Sequence, residues 1–148
     1  MDVRVKQLVQ ESWMQVEPIA DTAATLFYDR LFELDPALRP LFPATDLRDQ
    51  KKKLMQTLTV AVRGLYRLEE LAPALEALGR RHVGYGVQDA HYETVGQALL
   101  WTLEQGLGAA FTPEVRDAWA ETYALVTSVM QRAARESAEE TTLLRAAA

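Results

Sequence analysis

Hydrophobic residues recur every three to four positions along nearly the whole chain, and this period predicts amphipathic α-helices. No run of β-branched residues alternates convincingly with polar ones, so the pattern gives no support to a β-sheet. Short turns marked by proline or glycine separate the apolar stripes. We therefore predict an all-α protein of about seven helices, while periodicity alone does not choose how those helices pack.

The stripes and their end signals place each predicted helix. Asp35 before Pro36, Asp46 and Asp89 are predicted N-caps, and Pro73 is expected near the start of a helix that reaches His82. The apolar stripes cover residues 5–16, 23–34, 54–65, 71–82, 92–103 and 115–133, with a short helix over 35–42 and breaks at 18, 84–86, 106–108 and 112–113.

Composition and charge limit the classes of function. The 148 residues fit one domain, and the lack of cysteine excludes disulfides and thiolate metal sites. A net charge of −5 spread along the chain argues against a nucleic-acid surface. No apolar run could span a membrane and the first residues lack a signal-peptide pattern, so we expect a cytoplasmic protein. The basic run Lys51–Lys53 is either a solvated helix face or a local anion-pairing site.

The two histidines are the remaining candidates for metal chemistry, because the chain has no phosphate-binding glycine loop, no histidine pair four residues apart and no serine elbow. An isolated histidine is more often structural than a ligand. His82, however, ends an amphipathic helix before a glycine-containing loop, a position that suits ligation of a planar cofactor lying under the helix. Capping or surface exposure is sufficient to explain His91.

From about residue 5 to about residue 130, the sequence resembles the bacterial single-domain haemoglobins and the globin half of flavohaemoglobins. Each matching fragment is common by itself, and the strength of the signal lies in their order and spacing. The fragments are Ser12-Trp13, Leu26-Phe27-Tyr28 with Leu31-Phe32, Pro40-Leu41-Phe42, Lys53-Leu54-Met55, Gly79-Arg80-Arg81-His82, His91-Tyr92 with Val95-Gly96, and Ala118-Trp119 with Tyr123.

The resemblance implies a globin fold over residues 1–134, with 135–148 as a polar helix extension or frayed tail, around one non-covalent haem b. His82 matches the iron ligand, and its other ring N–H should donate to a backbone carbonyl. Phe42 matches the phenylalanine that stacks on the haem, Tyr92 matches a tyrosine beside the histidine, and Lys53 is placed to reach a propionate. The apolar contacts to the haem are assigned to Leu54, Leu58, Val87 and Val95.

On the opposite, distal side, the resemblance places Tyr28 and Gln50 in the ligand pocket with Leu54, although a slip of one residue would substitute Lys51 for Gln50. A phenol O–H and an amide N–H can stabilise the partial negative charge of bound dioxygen. Hydrogen bonds to such an acceptor contribute roughly 1.5–3 kcal/mol each, and carbon monoxide gains less. This pocket predicts tight oxygen binding and slow release.

Two departures from flavohaemoglobins bear on function. The flavin- and nicotinamide-binding domains of that family do not follow residue 148, so a redox cycle would need a separate flavin reductase. The position of their proximal glutamate falls at about Ala134, and Glu136 would face elsewhere, which weakens the case for peroxidase chemistry. We expect a protein that binds oxygen, NO and CO reversibly. The alternatives are a nitric oxide dioxygenase, a gas sensor or interaction module, and a helical domain that binds no haem.

Overall fold

The computed structural model describes residues 1–42 and 47–147 and contains six α-helices and four short 3₁₀ turns within them. The α-helices are α1 (Val3–Val16), α2 (Ala20–Leu34), α3 (Leu47–Arg63), α4 (Leu68–Gly84), α5 (Asp89–Leu107) and α6 (Pro113–Ala147). The predicted short helix is a 3₁₀ helix over Pro36–Leu41. Counted together with the six α-helices, this 3₁₀ helix gives the predicted number of about seven helices.

Several predicted ends are confirmed by their local hydrogen bonds. The Asp35 carboxylate accepts from the backbone N–H of Ala37 at 3.1 Å, which caps the 3₁₀ helix. The Thr112 hydroxyl accepts from the backbone N–H of Val115 at 3.2 Å and caps α6. Gly108 ends α5 with a φ of 56°, a left-handed conformation that glycine adopts without steric cost.

Three predicted boundaries are wrong. Gln88, not Asp89, is the N-cap of α5, and it exchanges hydrogen bonds with His91 in a capping box. Leu65 lies outside α3, in a separate 3₁₀ turn. Pro73 lies inside α4, which already begins at Leu68, so the loop before it is shorter than expected. The predicted cap at Asp46 lies outside the described residues.

The main core lies between α1, α2, α5 and α6. Trp13 and Trp119 meet there with ring centroids 5.8 Å apart. The Trp119 indole N–H donates to the Ser12 hydroxyl at 2.8 Å, and that hydroxyl donates to the Leu8 carbonyl, so this buried polar chain is satisfied. The core fixes α2 and α5, the two helices that carry Tyr28 and Tyr92.

α4 belongs to a different packing unit, because it rests mainly on α6. Gly79 allows this close approach, since a Cβ atom at residue 79 would overlap the backbone of Met130. α3 instead packs on α1 and α2, and within the described residues it makes little close contact with α4. No helix in the described part of the chain combines the length and apolar character needed to cross a membrane.

Candidate functional site

The geometry around His82 fixes the tautomer of its ring. His82 lies in the last turn of α4, and its Nδ1 is 2.7 Å from the backbone carbonyl of Leu78. A carbonyl oxygen can only accept a hydrogen bond, so Nδ1 carries the proton. In the neutral ring this leaves the lone pair on Nε2, the nitrogen available to a metal. The hydrogen bond expected from the sequence is therefore present, and Leu78 provides its acceptor.

The environment of His82 favours the neutral ring. Partial burial lowers the pKa of His82 below its usual 6.5, and the nearby Arg81 guanidinium lowers it further, against the opposing effect of the hydrogen bond to Leu78. A neutral imidazole is the form that ligates metal ions, because the imidazolium has no lone pair to donate.

Two tyrosine rings flank the imidazole. The Tyr92 ring is nearly parallel to it, with an interplanar angle of 25° and centroids 6.2 Å apart. Tyr85 lies on the outer side at 5.8 Å and is 59% exposed. The sequence identified Tyr92 but missed Tyr85, because the glycines on either side of Tyr85 were interpreted only as a helix break.

Tyr123 on α6 is a further residue whose role the sequence did not reveal. Its hydroxyl donates to the backbone carbonyl of Tyr92, and its ring packs where a side chain at Gly96 would otherwise lie. Burial, chiefly, together with the neighbouring Tyr92 hydroxyl, raises the pKa of Tyr123 well above 10. Tyr123 thus fixes the start of α5 behind His82. Its signal in the sequence was only a matching position within the family pattern.

Tyr28 is almost fully buried in α2, at 2% exposure. Its hydroxyl donates to the backbone carbonyl of Gln50 over a long 3.5 Å, and the Gln50 side chain is half-buried. The Tyr28 ring meets Phe42 edge-on at 5.5 Å and Phe32 at 6.0 Å. Burial raises the pKa of Tyr28 to about 12, with the contact to Gln50 opposing, so the phenol remains a hydrogen-bond donor. The structure therefore places the Tyr28 hydroxyl beside the Gln50 backbone and the Tyr28 ring against Phe42.

The apolar residues assigned to the site are half-buried and come from separate parts of the fold. Leu54 and Leu58 on α3 and Val95 on α5 pack on the main core. Val87, in the loop after α4, packs with Tyr92 in the smaller cluster on α6. Leu41 lies near that same loop: a Cβ atom added at Gly86 would be 3.6 Å from the Cδ2 of Leu41. Lys53 is exposed on α3.

These residues fit a haem better than a metal ion held by protein groups alone. Within the described residues, no group of three or more His, Cys, Asp or Glu side chains could enclose an ion. A porphyrin supplies four nitrogens itself and needs one axial imidazole, which the tautomer of His82 provides. The half-buried apolar side chains on α3, α5 and the loop after α4 suit a flat hydrophobic ring.

The position that the resemblance gives to the proximal carboxylate of flavohaemoglobins lies at about Ala134. Ala134 is half-buried on α6, and Glu136, two residues further, is exposed. The groups packed around the imidazole are instead the aromatic rings of Tyr85 and Tyr92. His91 is engaged through Nδ1 in the capping box of α5, as the sequence suggested.

Comparisons with known proteins also support a globin. The globin family profile matches residues 25–130, a stretch that contains every residue assigned to the site. Neuroglobin from Danio rerio is 33% identical over 140 residues, covering 86% of this chain and 88% of the relative. Neuroglobin from Tetraodon nigroviridis is 31% identical over 148 residues, with 91% and 93% covered. Neuroglobin-1 from Oncorhynchus mykiss is 30% identical over 150 residues, with 93% and 94% covered.

Proposed function

Because this chain belongs to the globin family, we propose that it binds dioxygen reversibly at a haem b held by His82. Family membership supports a haem protein for gaseous ligands, and globins typically bind haem. The assignment of His82 rests on one observation above all, the hydrogen bond from its Nδ1 to the Leu78 carbonyl, which leaves Nε2 free. The haem, when bound, supplies the iron that coordinates the gas.

The protein's own part in ligand binding lies with Tyr28 and Gln50. Buried in α2, the Tyr28 phenol is protonated at physiological pH and is held only by a long hydrogen bond to the Gln50 carbonyl. It can exchange this weak acceptor for a ligand with partial negative charge at small cost. The half-buried amide of Gln50 provides a second donor. Both donors favour dioxygen over the less polarised carbon monoxide.

The remaining site residues hold and enclose the cofactor. Phe42 would stack on the ring, and Tyr92 would support the proximal imidazole from the α5 side. The apolar contacts come from Leu54, Leu58, Val87 and Val95, which is also the arrangement implied by the resemblance to bacterial single-domain haemoglobins. The exposed Lys53 would pair with a haem propionate.

Nitric oxide dioxygenation is a second candidate, because the same two donors, Tyr28 and Gln50, would hold oxygen for attack by NO. This reaction consumes reducing equivalents, which a flavin reductase would supply. Repeated NO consumption in the presence of a flavin reductase and its flavin hydroquinone would favour the nitric oxide dioxygenase activity. A single turnover that stops at the ferric state would favour reversible binding.

The test of the proposed function is the absorption spectrum of the purified, haem-supplied protein in the ferrous state, with and without oxygen. We expect a Soret band and a reversible oxygen spectrum, both lost in His82→Ala. His91→Ala is the matched control, since that ring only caps α5, and it should keep both spectra. A colourless wild-type protein, or an unchanged spectrum in His82→Ala, would refute the assignment.

A further inference from the structure

The helix α3 is attached to the rest of the molecule unevenly along its length. Of its 17 residues, all of which the structure describes, Val62 alone is buried, and it lies one residue before the carboxyl end. Residues 47–55, at the amino-terminal end, are half-buried or exposed. The hydrogen bond from the Tyr28 hydroxyl to the Gln50 carbonyl at that end is long, at 3.5 Å. Full burial in α3 therefore occurs only near its carboxyl end.

Two hydrogen bonds join this carboxyl-terminal part of α3 to α1. The Trp13 indole N–H donates to the Thr59 hydroxyl at 3.0 Å. The Gln10 side-chain amide donates to the Val62 backbone carbonyl at 3.1 Å. Carbonyl groups in the last turn of a helix lack a partner within that helix, so the second bond also satisfies the end of α3. We call these two hydrogen bonds the α1–α3 anchor.

The core fixes the donor of the first bond. Trp13 is buried, and its ring packs against that of Trp119. A buried indole N–H needs an acceptor, and Thr59 provides one from a neighbouring helix. The buried Thr102 on α5 differs, because its hydroxyl donates to the Ala98 carbonyl of its own helix. The Thr59 hydroxyl thus joins two helices, whereas that of Thr102 bonds within one.

Gln50 lies on the same helix as this anchor. It is nine residues before Thr59, about 14 Å along the helix axis. Because a helix moves largely as one rod, a change of tilt at the α1–α3 anchor displaces Gln50 relative to Tyr28, which α2 holds separately. Hydrogen-bond donors in a binding site must be held within about 0.5 Å of their productive position. The anchor is therefore placed to control how well the Gln50 amide reaches a ligand.

We propose that Trp13 and Thr59 are positioning residues for ligand binding, because through the α1–α3 anchor they hold α3 at the tilt that places the Gln50 amide beside Tyr28. This inference rests on the proposed haem function. Neither residue belongs to the site assigned above, so their effect passes through Gln50. A buried indole N–H without an acceptor is costly, and the packing of α1 against α3 would shift if the Thr59 hydroxyl were lost.

The kinetics of oxygen and carbon monoxide release test this role. Thr59→Val keeps the size of the side chain and removes the acceptor. We expect it to accelerate oxygen release at least about threefold, while carbon monoxide release changes less than about twofold. Thr59→Ser keeps the hydroxyl and should release oxygen at the wild-type rate. Equal acceleration for both gases, or no rescue by serine, would indicate a merely structural contact and overturn the proposal.

A double variant shows whether the effect passes through Gln50. Thr59→Val combined with Gln50→Leu should release oxygen no faster than Gln50→Leu alone. Additive acceleration would overturn the proposal. The matched control is Thr102→Val, the same substitution at a hydroxyl that bonds within its own helix. It should leave the release of both gases unchanged, and acceleration equal to that of Thr59→Val would also count against the anchor.

Hydrogen exchange provides a readout independent of gas binding. In the ferric, haem-loaded protein without a gas, the amides of residues 50–58 should exchange at least about threefold faster in Thr59→Val than in wild type, while those of α5 stay unchanged. Unchanged exchange in α3 would overturn the proposal. If the protein shows no Soret band, the proposed function itself fails, and this inference with it. Normal spectra with wild-type oxygen release in Thr59→Val refute only the positioning role.

Discussion

Tyr28 combines two properties that rarely occur together, deep burial and a weakly satisfied hydroxyl. Among the described residues, its hydroxyl makes one hydrogen bond, the 3.5 Å contact to the Gln50 carbonyl, beyond the usual range for an O–H donor. A buried donor with so little stabilisation gains a full hydrogen bond when a polar ligand arrives. Under the proposed function, Tyr28 would therefore contribute directly to the selectivity among gases.

For this reason we expect Tyr28→Phe to accelerate oxygen release at least about tenfold, the loss of roughly 1.5 kcal/mol or more. Carbon monoxide release should change less, because that ligand draws less on the phenol. Flash photolysis and stopped-flow displacement measure both rates. Phe32→Leu is a control that changes a neighbouring ring without removing a donor. An oxygen release rate equal to wild type would exclude Tyr28 from ligand binding.

The raised pKa of Tyr28 also predicts how stability depends on pH. In the unfolded chain this phenol ionises near 10, whereas the folded protein keeps it neutral to about 12. The contribution of Tyr28 to the free energy of unfolding is therefore fully present below pH 10. It is lost, by about 2–3 kcal/mol, as the pH rises to about 12. The free energy of unfolding, measured with urea between pH 8 and 12, should fall less steeply with pH in Tyr28→Phe than in wild type.

A control for this measurement is Phe27→Leu, which alters the adjacent ring, 5.1 Å from Tyr28, without removing a titrating group. Its loss of stability should be the same at every pH. Identical slopes for wild type and Tyr28→Phe would show that Tyr28 ionises in the folded state as readily as in the unfolded one.

Among the helices, α4 depends most visibly on a single small residue. Gly79→Ala places a methyl group in the Met130 backbone, so the helix must move away from α6. We expect a loss of about 1–3 kcal/mol in unfolding free energy and weaker retention of haem, because His82 moves with the helix. Thermal unfolding and haem transfer to an acceptor globin measure the two effects.

Gly84 provides the comparison on the same helix. An added Cβ there meets no atom within 4 Å, so Gly84→Ala should be neutral or slightly stabilising. Equal stability of the two alanine variants would mean that α4 and α6 adjust without cost and that Gly79 does not set their spacing.

The helices were predictable because each has an apolar face of the right period, and glycine and proline mark the ends of α4, α5 and α6. One error arose where two residues that can act as N-caps are adjacent in the sequence. Gln88 and Asp89 can both precede α5, and only the reciprocal bond from His91 decides between them. Leu65 continued the spacing of α3, but the chain turns at Gly64 before it.

Only part of the candidate site could be predicted from the sequence. Tyr28, Phe42 and His82 could be assigned from the order of the family's motifs, because those positions are anchored by neighbouring matches. The roles of Tyr85 and Tyr123 could not, because they act through contacts that depend on how α4, α5 and α6 cross. Crossing geometry leaves little trace in the spacing of one chain.

For the molecule as a whole, α6 extends far beyond the core. Among the residues of α6 whose burial the structure describes, the last buried ones are Met130 and Ala133, while residues 143–146 are exposed. We expect a chain that ends at Ala134 to keep its haem and oxygen spectra and to lose less than about 1 kcal/mol of stability. Urea unfolding and absorption spectra measure this. A loss of haem on truncation would place the domain boundary further along the chain.

The separate packing of α4 has a consequence for how the cofactor enters and leaves. Since α4 rests on α6 while α3 rests on α1 and α2, a haem could be admitted by a shift of α4 along α6. The tryptophan-centred interior need not open for this to happen. Under the proposed function, newly synthesised chains would complete most of their folding first and take up the haem afterwards, and the lifetime of the loaded protein would depend on the contact between α4 and α6.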